Sequence, residues 1–188
     1  MQVHLSISSF ELTWMWQKSI TFRDAHLNLI CQHPKVFTLG HAASSIYPAK
    51  YVNRHRIDRG GEIAYHDCGH LLLYVLTSCP QVTHHIHTLH LVALRLLHVW
   101  RLQAIVSSHL GIWLFKDKWM SMGLKILQGR SLHGICLPIE GHLPPQFEAC
   151  NIASTYLVNL EAYLCHISFQ QCRYYLAIST KQNFSRHF

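Results

Sequence analysis

The chain has 188 residues, 49% hydrophobic and 13% charged, with a formal net charge of +7. That length fits one domain burying roughly two thirds of its unfolded surface, and that composition excludes a disordered chain. The positive balance suits acidic partners, but no basic, aromatic-interleaved run marks a nucleic-acid interface.

No stretch approaches the ~20 uninterrupted apolar residues of a membrane helix, and the N-terminus lacks the basic-then-apolar plan of a secretory signal. The expectation is a soluble, cytoplasmic protein with neither a membrane nor a nucleic-acid partner. Cysteines at 31, 68, 79, 136, 150, 165 and 172 form no CxxC pair and leave one over in any pairing. A reducing compartment follows, in which each is a core hydrophobe or a reactive thiol. The 17 histidines are an excess that no motif explains.

Residues 1–9 alternate like a strand, and 10–22 carry Leu12, Met15, Trp16 and Ile20 near helical spacing. Leu27 to Cys31 and Val36 to Gly40 read as two strands, with a turn at Pro34. Residues 41–57 show little periodicity and read as a surface loop.

Asp58 to Tyr74, DRGGEIAYHDCGHLLLY, has the order turn, strand, turn, strand. Gly60-Gly61 permits a positive φ or a close approach to a ligand, while Tyr65 and His66 offer an aromatic wall and a titratable ring nitrogen. The same pattern also fits an ordinary hairpin whose histidine is satisfied by a neighbour.

From Gln81 to His109 the apolar positions Ile86, Leu89, Ala93, Leu96, Leu97, Trp100 and Ala104 predict one amphipathic helix behind Pro80. Gly111–Phe115 and Trp119–Leu127 predict a hairpin that turns over residues 116–118. A strand over Leu132–Ile139 and a Pro-containing loop then lead to Phe147-Glu148-Ala149-Cys150. Residues 154–178 read as mainly helical. With no repeat and no linker, the expected fold is a single α+β domain over residues 1–188.

His84, His87 and His90 share a helix face, but no carboxylate or thiol completes a tetrahedral zinc set, and no metal is expected. A GxSxG elbow and a P-loop are both missing. A thiol nucleophile remains, because cysteine needs only a nearby cation or base to attack an acyl group. Spacing alone does not choose Cys150 over the other six cysteines, nor distinguish Lys118 from a solvated turn lysine.

Five segments resemble, in order, the lipoyl(octanoyl) transferase family of the biotin/lipoate ligase superfamily. HPKVFTLG at 33–40 is similar to HPPVFTLG, RGGEIAYHDCGHLLLY at 59–74 to RGGxxTYHGPGQLVxY, and KWMSMGLKI at 118–126 to KIASLGLRI. GRSLHG at 129–134 resembles an HG-containing strand, and FEACN at 147–151 falls at a Pro-Cys-Gly.

The resemblance implies a biotin/lipoate protein ligase-like domain with mixed β-sheets packed by helices. It also implies transfer of an octanoyl group from octanoyl-acyl carrier protein to lipoyl domains of 2-oxoacid dehydrogenases and the glycine cleavage H protein. An acyl-cysteine carries the group, and no cofactor is needed. By resemblance the nucleophile is Cys150 and its dyad partner Lys118. The acyl pocket falls to Arg59, Gly60, Gly61, Glu62, Ile63, Ala64, Tyr65, His66, Ser121, Met122, Gly123, His133, Gly134, Ile135 and Cys136.

This chain departs from the family at Asp67-Cys68, His70, Cys136-Leu137-Pro138 and Asn151. Two alternatives follow from these departures and from the wider superfamily. One is a non-catalytic homologue that binds acyl chains or carrier protein, and the other is an ATP-dependent lipoate-protein ligase.

Overall fold

The computed structural model describes residues 1–21, 26–43, 53–107, 111–142, 148–149, 152–153 and 157–184. In chain order these form β1 (Gln2–Ile7), α1 (Phe10–Thr21), β2 (Leu27–Gln32), β3 (Val36–Leu39), β4 (Arg54–Arg56), β5 (Ile63–His66) and β6 (His70–Leu76). Then come α2 (Val82–Val99), β7 (Ile105–Ser107), β8 (Gly111–Leu114), β9 (Asp117–Leu127) and β10 (Arg130–Pro138). Short strands β11 (Glu148–Ala149) and β12 (Ile152–Ala153), a 3-10 turn at Leu160–Ala162 and α3 (Phe169–Phe184) complete the set.

Seven strands form one mixed sheet in the order β1-β2-β6-β10-β9-β8-β7, and a second sheet has the order β4-β3-β5. The apolar run at 71–76 is continuous because every residue of β6 is buried, with both faces of that central strand covered. Leu71, Leu73 and Val75 meet Leu89, Val92, Ala93, Leu96 and Leu97 of α2, and Cys172 and Leu176 of α3. Leu72, Tyr74 and Leu76 face the other way, with Leu27, Leu29 and Cys31 of β2 and Trp16 and Ile20 of α1. Each fully buried Leu or Ile contributes about 1.5–3 kcal/mol.

Helix α1 starts where Ser9 Oγ accepts the Leu12 N–H, 3.2 Å away, as an N-cap. Its buried stripe differs from the apolar one read in the sequence, since Leu12 and Met15 are 67% and 65% exposed. Ile20 does face inward, as expected, but together with Phe10, Thr13 and Gln17. The polar members of that stripe have partners: Thr13 Oγ1 donates to the Ser9 carbonyl at 2.9 Å, and Gln17 Oε1 accepts the His133 N–H at 2.9 Å.

Helix α2 ends at Val99, ten residues short of the expected end. Arg101 has φ +56, its N–H reaches the His98 carbonyl, and the Leu102 N–H reaches that of Leu97, which is a Schellman stop without the usual glycine. Trp100 and Ala104 still pack on the core from beyond the helix, so their helical spacing misled. Strands β5 and β6 are no hairpin: β5 pairs with β3 in the small sheet, and β6 with β2 and β10 in the large one. Likewise β2 and β3 lie in different sheets, and the expected loop at 41–57 contains strand β4. The helix expected over 154–178 is instead α3, starting at Phe169.

Strand β10 comes so close to β6 that a Cβ on Gly134 would run into the Leu73 carbonyl oxygen. Backbone cannot yield there as a flexible side chain would, so Gly134→Ala should destabilise the fold by about 2–3 kcal/mol. A urea midpoint lowered accordingly at pH 7 is the expected readout.

Candidate active site

The two sheets enclose a cavity of about 110 Å³ with a mainly apolar lining. Alternate residues of the large sheet form its floor, because His70, Leu72 and Tyr74 of β6 stand opposite Pro138, Cys136 and Gly134 of β10. Ser121 and Gly123 of β9 extend that floor from the other side of β10. The opposing wall comes from Arg59, Gly61, Glu62, Ile63, Ala64, Tyr65 and His66, together with Thr38 of β3 and Phe10 of α1. Met122, His133 and Ile135 also line it. Gly60 does not, and its N–H donates to the Leu124 carbonyl at 2.8 Å, fastening the loop to β9.

Lys118 lies in β9, not in a turn as the sequence suggested, and is 8% exposed. Between β8 and β9 the register slips, from Ile112↔Met120 to Trp113↔Lys118. A bulge of this kind re-aims side chains: Trp119 and Met120 both pack in the helix-side core, and Lys118 is left lining the cavity. Gly111 makes room for it, since a Cβ there would lie 2.9 Å from Lys118 Cε. The Val158 N–H, donating to the Lys118 carbonyl at 3.1 Å, ties the following segment to this point.

Arg59 is a clamp inside the wall. Its Nη2 donates to the carbonyls of Thr38 at 2.7 Å and Glu62 at 3.1 Å, and Nη1 to that of Gly60 at 2.8 Å. Thr38 Oγ1 accepts from both Nη2, at 3.1 Å, and Nε, at 3.3 Å. Gly123 lets the stem pass, because a Cβ there would sit 2.6 Å from Arg59 Cδ.

The ring expected to titrate does not do so near neutrality. Burial, then the neighbouring His33 and Arg59, hold His66 well below its ordinary value. Burial also takes His70 down to about 4. His133 has φ +63, a strained choice for a non-glycine residue, and its Nε2 lies 3.1 Å from Asp58 Oδ1. Burial depresses His133 despite the carboxylate, so the neutral ring donates, and that hydrogen bond holds Asp58 down to about 2.

Asp67, a departure from the family pattern, accepts the Tyr65 hydroxyl at 2.8 Å and the Cys68 N–H at 2.8 Å. Pro138 keeps its carbonyl in use, accepting from Trp119 Nε1 at 2.8 Å. Cys136 lines the cavity, but burial raises its thiol to about 12.

Cys150 and Asn151 lie outside the described residues. Strands β11 and β12, on either side of them in sequence, pair as Glu148↔Ala153 and Ala149↔Ile152. The histidines of α2 do not share an environment, with His84 and His87 exposed and His90 buried. Thr38, Asp58, Leu72 and Tyr74 were not singled out in the sequence, and His70 was noted only as a departure from the family pattern. Strand alternation through residues 70–74 is the signal that finds His70, Leu72 and Tyr74.

Residues 10–169 match the family described as "Lipoyl protein ligase A/B catalytic domain". An octanoyltransferase of Shewanella baltica is 30% identical over 176 residues, covering 85% of this chain and 79% of that one. A probable octanoyltransferase of Cyanidium caldarium is 29% identical over 151 residues, 72% of this chain and 71% of the other. Among solved structures, the bipartite lipoate protein ligase of Thermoplasma acidophilum superposes with a TM-score of 0.78 at 13% identity, covering 98% of this chain and 83% of that one. At that identity the superposition speaks for the fold alone. A cavity walled by the RGG segment and floored by the HG strand, a lysine turned into it by a bulge, and these likenesses agree: the chain belongs to the lipoyl protein ligase A/B catalytic-domain family, among its octanoyltransferases.

Proposed function

We propose that residues 1–188 act as one domain that takes an octanoyl group from octanoyl-acyl carrier protein onto Cys150. The group then passes to a lysine of a lipoyl domain, in a reducing compartment such as the cytoplasm. The observation that carries this reading is Lys118, placed by the bulge in the wall of an otherwise mainly apolar cavity. A cation there favours the thiolate of Cys150.

In the first half-reaction the Cys150 sulfur bonds to the acyl carbon, the bond to the carrier's sulfur breaks, and the departing thiolate takes a proton from Lys118. In the second, the acceptor amine attacks the acyl-Cys150 and yields its proton to Lys118, and Cys150 leaves as the thiolate. The first step exchanges one thioester for another and the second forms an amide, so no nucleotide is consumed. Thiolate serves as both nucleophile and leaving group. Burying the chain contributes about 0.8 kcal/mol per methylene. The charge of +7 favours acidic protein partners of the two kinds named.

Purified protein mixed with octanoyl-acyl carrier protein and a lipoyl domain, without ATP, should add one octanoyl group to the domain's lysine, read by mass spectrometry. Transfer that requires free octanoate and ATP would overturn the reading in favour of a ligase. Carrier binding without any transfer would leave a binding module.

A further inference from the structure

Thr38 Oγ1 faces two N–H donors of Arg59, Nε and an Nη2 hydrogen shared with a neighbouring carbonyl, and these occupy its two lone pairs. Its own hydroxyl hydrogen must then go elsewhere, and His66 Nε2 lies 3.3 Å away. The hydroxyl therefore donates, and Nε2 accepts. A neutral imidazole that accepts at Nε2 carries its proton on Nδ1. The opposite tautomer would set a third donor against two lone pairs and leave the hydroxyl with nothing to bond.

Buried His66 Nδ1 has no hydrogen-bond partner among the described residues, and His66 lines the cavity. Two other polar groups of the lining are engaged, Tyr65 with Asp67 and Tyr74 with His33. His70 also has an unpartnered Nε2, while its Nδ1 lies 4.0 Å from Cys136 Sγ. An octanoyl thioester brings one strong acceptor into such a cavity, its carbonyl oxygen.

We infer that His66 is a further catalytic residue, a fixed Nδ1–H donor to the acyl carbonyl and to the oxyanion it becomes, with Thr38 and Arg59 as positioning residues that set its tautomer. His66 keeps its proton throughout; the carbonyl π pair moves onto oxygen as sulfur attacks, and returns as the leaving thiolate departs. A neutral donor preset in a dry site stabilises developing charge without reorganising.

This rests on the octanoyl-transfer reading, and the experiment separates the two. In 15N-histidine-labelled protein, His66 should show the Nδ1–H tautomer, and its Nδ1 resonance should shift on titration with octanoate. His66→Phe should lower kcat by about 100-fold with KM changed less than about threefold. His66→Asn, which can present an N–H at the Nδ1 position, should recover activity to within about tenfold of wild type. Thr38→Val should mix the tautomers and lower kcat in between.

An Nε2–H tautomer in the wild type, a resonance indifferent to octanoate, or a folded His66→Phe at the wild-type rate would each overturn the inference. If the wild type transfers nothing, the function reading fails, and the tautomer and octanoate titration still decide whether this donor exists.

Discussion

Lys118→Met should give a folded protein whose octanoyl transfer is slower by about 10³-fold, within the 10²–10⁴ range of a positioned acid–base group. Methionine keeps an unbranched stem in the slot beside Gly111 and over the bulge, so the cavity and both sheets stay as they are. On the proposed mechanism it removes the nitrogen that holds the thiolate and receives the acceptor's proton. Because the apolar lining that binds the chain is untouched, the loss should fall on kcat, with KM for octanoyl-acyl carrier protein changing only a few-fold. Steady-state kinetics beside circular dichroism make the check. A folded variant within threefold of the wild-type kcat would remove Lys118 from the chemistry.

Between pH 7 and pH 4.5 the protein should lose most of its stability, in a fall that begins well above the range where carboxylates titrate. Burial takes His70 and His85 from 6.5 down to about 4 and lowers His33, His66 and His133 as well. A folded-state value below the unfolded one means the unfolded chain binds protons that the folded chain refuses. Stability is therefore complete above about 6.5 and is lost as pH falls toward about 4. For His70 and His85, which are 1% and 4% exposed, the shift corresponds to about 3 kcal/mol each, against the 5–15 kcal/mol that holds a typical domain together.

Asp58 acts in a lower window, since its value is lowered to about 2, so its contribution is complete above the ordinary carboxylate value and is lost as pH falls from there through about 2. Urea midpoints measured at pH 7, 6, 5 and 4.5 should fall steadily. His85→Phe, which removes a buried ring nitrogen against Phe184 and outside the cavity, should flatten the fall. A midpoint that is level from pH 7 to 5 would contradict this.

Much of the site could be read from the sequence because it rests on backbone demands. The glycines at 61, 123 and 134 stand where the chain turns, where Arg59 passes, or where two strands nearly touch, and no other residue meets those conditions cheaply. Strand β6 was equally plain as an unbroken apolar run.

What stayed hidden depends on contacts distant in sequence. Nothing local says that β5 and β6 belong to different sheets, because that follows from β3 claiming β5 and from β2 and β10 claiming β6. The bulge that places Lys118 is a mismatch between two strands and leaves no mark in either alone. Helix α2 stops at an arginine with φ +56, where the expected stop signal is glycine. The α1 stripe was misread because Thr13 and Gln17 face inward on account of their partners, Ser9 and His133.

The histidine excess gains a partial meaning only from the fold. Several of those rings are core side chains held neutral by burial, and three of them, His66, His70 and His133, line the cavity.

The most direct measurement is to mix the protein with octanoyl-acyl carrier protein alone, quench in acid, and map the acyl group by peptide mass spectrometry. A single octanoyl thioester on the peptide containing Cys150, absent from Cys150→Ala and released by hydroxylamine, is the expected result. A wild-type protein that carries the octanoyl group on Cys136 or another cysteine, or that acylates a lipoyl domain while never becoming acylated itself, would contradict it.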